Sequence, residues 1–158
     1  AKEDTTDTFF SKVINTTGTI PRLLAMVRRM PTGHGEIKLQ GLDQPYFITF
    51  VDLGSDLNGY HNTVHGGILA SLFDETLGLC AETYRAFVSK DRTRLYTATL
   101  TVSYRSPVVT PGVVLIKTWV QQIEGRKWFL EAQLVDADGL LKAEAKSLYI
   151  GARDHAGL

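Results

Sequence analysis

The period of the apolar positions changes along the chain, and each change marks a new element. From His65 to Arg85 the apolar residues Ile68, Leu69, Leu72, Phe73, Leu77, Cys80 and Tyr84 recur at three- and four-residue spacing, which is one face of a helix. The segment is mostly apolar, so the helix is expected to be well buried. From Leu95 to Arg105 the period falls to two. Tyr96, Ala98, Leu100, Val102 and Tyr104 are expected on one face of a strand, and Thr97, Thr99, Thr101 and Ser103 on the other. Further strands are predicted at Val113–Ile123, Lys127–Val135 and Leu140–Ile150. Turn signals at Gly125-Arg126 and Asp138-Gly139 separate them.

Upstream, Tyr46–Leu53 is aromatic and β-branched and reads as a strand. A shorter strand is expected around Ile37 and Leu39, with a turn at Gly41–Pro45, and Asp56–Thr63 reads as a loop. The first residues predict two short helices. Thr5–Asn15 carries Phe9, Phe10 and Val13 on one side, and Thr16-Thr17-Gly18 breaks it. Pro21 suits the first turn of a second helix running to Met30, where Pro31 ends it. That helix has a basic side of Arg22, Arg28 and Arg29, which suits packing on its own domain or contact with a membrane or phosphate.

The expected organisation is therefore a helical extension over residues 1–35 and a main domain over 36–158. The main domain has two strands, one long helix and four strands joined by short turns. Short turns imply antiparallel neighbours. An α+β fold follows, with a curved antiparallel sheet wrapped around one central helix.

Composition narrows the function. A chain of 158 residues with 44% hydrophobic and 22% charged residues is one globular domain. Seventeen basic residues balance seventeen acidic ones, so the basic excess that nucleic-acid binding needs is missing. A local basic patch could still hold one small phosphorylated ligand. Cys80 is the one cysteine, which excludes an intramolecular disulfide and a cysteine zinc site and suits a reducing compartment. Its place on the apolar helix face makes it a core thiol. No apolar run reaches 18 residues, so no membrane span is expected. The acidic-rich start, Lys2-Glu3-Asp4 and Asp7, is unlike a transit peptide.

Candidate chemistry gathers between Asn58 and Asp74. Gly66 and Gly67 stand where the long helix begins. The first backbone N–H groups of a helix lack intrahelical partners and sit at the positive end of its dipole. They suit an oxyanion, although the same glycines also suit a plain loop-to-helix joint. Asp74 lies opposite the centre of the apolar face, and its helical neighbours Ala70, Ser71, Gly78 and Ala81 are all small. Something is expected to pack closely there: a partner chain, a ligand, or a helix contact with a hydrogen-bonded carboxylate. Glu75 and Glu82 fall toward the charged side. His61 and His65 are four residues apart, but no third metal ligand is obvious. His34 and His155 fall in expected loops. The hydroxyl face of Thr97, Thr99, Thr101 and Ser103 is either solvated or supplies one hydroxyl to the carboxylate or its water. Arg126 and Lys127 at a strand turn are either solvated or a phosphate clamp.

The run His65-Gly66-Gly67-Ile68-Leu69-Ala70-Ser71-Leu72-Phe73-Asp74-Glu75 resembles the His-Gly-Gly motif, followed six residues later by an acid, of hotdog-fold acyl-CoA thioesterases. The nearest types are the phenylacetate-pathway and mitochondrial thioesterases. Thr97 to Pro107 is similar to the family's strand ending in Tyr-x-x-Pro, and Glu124–Phe129 and Ala145–Ile150 to its later strands. The likeness covers residues 36–151. It implies a homodimer or dimer of dimers with active sites between subunits, and hydrolysis of acyl-CoA to a free acid and CoA, in fatty acid metabolism. It implies no metal or redox cofactor, CoA being part of the substrate. Asp74 is implied as general base or nucleophile, and the Gly66-Gly67 amides after His65 as the carbonyl-polarising group. Thr97 is implied to orient the water or acid, and Arg126 and Lys127 to hold CoA phosphates. Thr99 is a further candidate substrate contact. Many relatives carry Asn six residues before the histidine; here that position is Gly59, with Asn58 beside it as the candidate. The compartment is expected to be cytoplasmic or mitochondrial. Two other readings stay open: a hotdog dehydratase or hydratase using His61 or His65, and a non-catalytic acyl-CoA-binding module.

Overall fold

The computed structural model describes residues 8–29, 41 and 44–153. Its elements are β1 (Arg22–Val27), β2 (Phe47–Leu53), β3 (Asn58–Tyr60), β4 (Thr63–Val64), α1 (Gly66–Val88), β5 (Leu95–Tyr104), β6 (Gly112–Glu124), β7 (Lys127–Asp136) and β8 (Leu141–Gly151). Six strands form one antiparallel sheet in the order β1-β2-β6-β7-β8-β5, and β3 and β4 form a separate ribbon that leads into α1.

Alternation puts one face of the sheet against the helix. Val114, Ile116, Thr118 and Val120 of β6, Trp128, Leu130, Ala132 and Leu134 of β7, and Ala143, Ala145, Ser147 and Tyr149 of β8 are all buried. They meet the apolar face of α1, where Leu72, Phe73, Leu77 and Cys80 have no exposed surface. Each such side chain contributes about 1.5–3 kcal/mol of burial. A long central helix on an antiparallel sheet is the hotdog fold that the motifs implied.

The N-terminal segment differs from expectation. Arg22–Val27 is a strand and not part of a Pro21–Met30 helix: it pairs with β2 from Arg22↔Asp52 to Val27↔Phe47. A proline at a strand start is as acceptable as one at a helix start, so Pro21 could not discriminate. The long-range ladder, with the Arg22–Asp52 ion pair at 2.8 Å, decides the conformation. Of the predicted Thr5–Asn15 helix, one π-helical turn at Phe9–Val13 is present; residues 5–7 lie outside the described residues. So does the strand expected around Ile37 and Leu39. The expected loop at Asp56–Thr63 is instead the end of a 3-10 turn, Ser55–Leu57, followed by the β3–β4 ribbon.

β5 is also misplaced by the short-turn argument. It pairs with β8 at the sheet edge and not with β6, which follows it in sequence. The Arg105–Pro111 connection crosses over, held by Arg105 N–H donating to Lys142 O (2.8 Å) and by a bridge between Thr63 and Val109. The true tight turns are at Gly125 and Gly139, with φ of 58° and 80°.

The segment before β1 is docked, not appended. Ile14 and Ile20 are buried in the core. Gly54 N–H donates to Thr19 O (2.6 Å), and Asp56 N–H to Gly18 O (2.9 Å). The approach is so close that a Cβ on Gly54 would lie 2.1 Å from Gly18 O.

Candidate active site

The ribbon fixes where α1 begins. His65 N–H donates to Leu57 O (2.8 Å) and Val64 N–H to Val108 O (3.0 Å). His65 is the N-cap, and its Nδ1 accepts the Gly67 N–H at 2.9 Å. Accepting requires a free lone pair, so the neutral ring carries its proton on Nε2. The cap explains the second glycine: a Cβ on Gly67 would stand 3.0 Å from Nδ1. Of the two amides expected to face a substrate, Gly67 is thus already taken. Gly66 N–H donates to no described residue, while its carbonyl accepts the Tyr104 hydroxyl at 2.8 Å. Beside it opens a cavity of about 410 Å³, bounded by Gly59, Tyr60, His65, Gly66 and Tyr104.

Two turns along α1, Asp74 is held by two hydroxyls. Thr97 Oγ1 donates to Oδ1 at 2.8 Å. The Tyr149 hydroxyl lies 2.8 Å from Oδ1 and 2.7 Å from the Asp74 carbonyl oxygen. Oδ2 accepts from no described residue. Burial first, and then the negative charge of Asp74, push the Tyr149 phenol well above its ordinary range, so it stays a donor. The small residues in the sequence make room for this: a Cβ on Gly78 would sit 3.6 Å from the Tyr149 ring.

Thr97 reaches Asp74 because β5 is bulged. The pairing runs Thr97↔Tyr149 and then Thr99↔Leu148, so Ala98 is the extra residue. Thr97 therefore joins the inward face with Leu100, Val102 and Tyr104, whose partners Ser147, Ala145 and Ala143 are buried. Tyr96 moves to the outer face. Thr99 also points outward, away from Asp74.

The other predicted positions are dispersed. Asn58 Oδ1 accepts the Thr110 hydroxyl. Arg126, at the β6–β7 turn, donates to Gly151 O at 2.7 Å. Lys127 is paired with Ile150, one position beyond the Trp128↔Tyr149 pair. The basic turn thus lies at the end of the sheet that carries Tyr149 and Thr97. His61 Nε2 is 3.1 Å from Asn62 Nδ2. His34 and His155 lie outside the described residues. Burial pushes the Cys80 thiol up to about 12, as expected of a core thiol. Glu82 is exposed, as its place on the charged side implies, and it pairs with the buried Arg85 at 2.6 Å. Among the described residues no group of three His, Cys, Asp or Glu side chains could hold a metal, and no helix is long and apolar enough to cross a membrane.

Tyr149 was not singled out by sequence reasoning. Its signal was present: it is the one large residue in the inward series Ala143, Ala145, Ser147, Tyr149. A tyrosine there needs a partner for its hydroxyl.

Residues 61–143 match the thioesterase superfamily, more than half of the chain, and the chain belongs to that family. The mouse (Mus musculus) acyl-coenzyme A thioesterase THEM4 is 34% identical over 98 residues, covering 61% of this chain and 39% of that protein. The uncharacterized mitochondrial membrane protein FMP10 of Saccharomyces cerevisiae is 34% identical over 96 residues, covering 59% of this chain and 38% of that one. The chain spans about two fifths of the length of these relatives. A Bacillus halodurans protein solved with CoA superposes with a TM-score of 0.59 at 18% identity, covering 71% of this chain and 70% of that one. At that identity the likeness speaks for the fold.

Proposed function

We propose that this protein hydrolyses acyl-CoA thioesters to a free acid and CoA. The observation that carries this reading is the Asp74 carboxylate, with Oδ1 fixed by Thr97 and Tyr149 and Oδ2 left for a water. Family membership and the similarity to a named acyl-CoA thioesterase supply the substrate class. Asp74 Oδ2 takes a proton from water as the water oxygen bonds to the thioester carbonyl carbon. The carbonyl oxygen becomes an oxyanion and accepts a hydrogen bond from a Gly66 amide at the positive end of α1. Collapse breaks the C–S bond, and the CoA thiolate leaves and is protonated. Water is the only co-reactant; CoA enters as part of the substrate. Arg126 and Lys127 present positive charge to its phosphates.

One chain does not supply both groups to one thioester. Gly66 and Asp74 are eight residues apart on α1, about 12 Å at the helical rise. An attacking water and the carbonyl it attacks are about 3–3.5 Å apart. Asp74 of one copy therefore works with Gly66 of a second, across the stripe of small residues, in a homodimer or dimer of dimers. The outer edge of β5, unpaired among the described residues, is the natural seam. A reducing compartment, cytoplasmic or mitochondrial, suits the single buried Cys80 and a yeast relative named as a mitochondrial membrane protein.

The test is CoA release from short, long and aromatic acyl-CoAs, followed by chromatography, with wild type and Asp74→Asn. Turnover is expected to fall by about 10²–10⁴-fold in the variant. A loss below tenfold with the fold intact overturns the role of Asp74. Hydration of an enoyl-CoA, or tight binding without product, would instead indicate a hydratase or a binding module.

A further inference from the structure

Two consecutive glycines make the start of α1 its most permissive backbone, because glycine restricts φ and ψ least. That backbone is nevertheless held on both sides of the Gly66 Cα. The Gly66–Gly67 peptide is pinned at its oxygen by the Tyr104 hydroxyl, which donates at 2.8 Å, and at its N–H by His65 Nδ1, at 2.9 Å. In the preceding peptide, the His65 carbonyl accepts from Ile68 N–H (2.9 Å) and Leu69 N–H (3.3 Å). A trans peptide is planar, with its N–H directed opposite its carbonyl. Those two bonds therefore set the direction of Gly66 N–H, which lies between two fixed planes.

The end of β5 places Tyr104 for this contact. Tyr104 pairs with Ala143, and the residues after it are tied down. Arg105 and Ser106 N–H both donate to Lys142 O, at 2.8 and 3.2 Å, and the Arg105 guanidinium donates to Glu144 Oε2 at 2.9 and 2.7 Å. The Tyr104 ring lies over Gly66, where a Cβ would touch it at 3.4 Å, and both residues wall the same cavity. The helical ladder already supplies one donor to the Gly66 carbonyl. The Tyr104 bond is thus additional to the helix, and it fixes where the first turn sits.

We propose that Tyr104 is a positioning residue for the reaction: through the Gly66 carbonyl, its hydroxyl aims the Gly66 amide at the oxyanion. This rests on the thioesterase reading. An oxyanion donor is effective when it is oriented before the charge develops. Without the hydroxyl the glycine pair regains freedom at that position, while the contacts that bind the rest of the substrate remain. The loss falls on kcat and not on KM.

The experiment measures kcat and KM of wild type and Tyr104→Phe on the acyl-CoA that wild type cleaves fastest, well below the melting temperature of both. Tyr104 is half-exposed, so the variant, which keeps the ring and removes the donor, is expected to fold. Its kcat is expected to fall about 3–10-fold, the worth of one hydrogen bond, with KM nearly unchanged. A residue that served only the fold would lower the melting temperature and leave kcat alone. NMR of protein with isotope-labelled glycine carbonyls reads the bond itself. The Gly66 resonance, assigned with Gly66→Ala, is expected to move in Tyr104→Phe, and the Gly67 amide to exchange faster. Tyr104→Met, which lacks the ring as well, is expected to lose at least as much kcat and replaces the phenylalanine variant if that one misfolds. An unchanged kcat, a fall matched by a rise in KM, or an unmoved Gly66 resonance overturns the proposal. If wild type releases no CoA from any acyl-CoA, the thioesterase reading has failed and this role with it; if wild type is active and Tyr104→Phe equals it, the role alone has failed.

Discussion

Tyr149 has one hydroxyl proton and two acceptors in reach, the carbonyl and the Oδ1 of the same Asp74. Thr97 donates to that Oδ1 as well. Together the two hydroxyls fix the carboxylate plane and leave Oδ2 for the proposed chemistry. A hydrogen bond to a charged group is worth about 1.5–3 kcal/mol. Tyr149→Phe is therefore expected to lower kcat by about 10–100-fold while KM changes little, since the bond positions the base and does not touch the substrate. Thr97→Val should act in the same direction. Because both donors share one acceptor, the double variant should lose less than the product of the two single losses. Steady-state kinetics on the four proteins measure this; a strictly multiplicative loss would mean that the hydroxyls act independently.

At the scale of elements, the docked N-terminal segment and the bulged strand separate what was legible from what was not. The helix start and Asp74 were legible because both sit on one continuous 3.6-residue period, which fixes their relation whatever surrounds them. Thr97 was one candidate among four hydroxyls of its face and was singled out only through resemblance, because a strict period of two places it on the face opposite Leu100. The extra residue Ala98 reverses that phase, and no local propensity marks it. Tyr149 meets Asp74 across 75 positions, and β1 pairs with residues 20 to 30 positions away, both beyond the reach of local patterning. Segments whose conformation is decided by distant ladders are misread from local signals such as Pro21. The tether of the N-terminal segment gives a direct check. Gly54→Ala would drive a Cβ into the Gly18 carbonyl, with backbone on both sides. It is expected to cost about 1–3 kcal/mol, the range for overpacked sites. Gly41→Ala, which meets no described residue within 4 Å, should stay within about 0.5 kcal/mol of wild type. Denaturant unfolding followed by circular dichroism reads both.

At the scale of the whole molecule, the proposed mechanism makes activity a property of two copies, because Gly66 and Asp74 stand eight residues apart along α1. Gly66→Pro removes the amide hydrogen, and proline is suited to the first helical position. His65 already has φ −60° and ψ 130°, the conformation that a following proline requires. The variant is thus expected to fold and to lose the oxyanion donor. Asp74→Asn is expected to fold and to lose the base. Each alone should be nearly inactive. Co-refolded in equal amounts, half the dimers pair one chain of each kind. In those dimers, one of the two sites joins an intact Asp74 to an intact Gly66. Recovery of about a quarter of wild-type turnover is expected from that symmetry. A site built within one chain predicts no recovery at all, because every chain in the mixture lacks one of its two groups. Complementation therefore distinguishes a shared site from a self-contained one, whichever acyl group the site prefers.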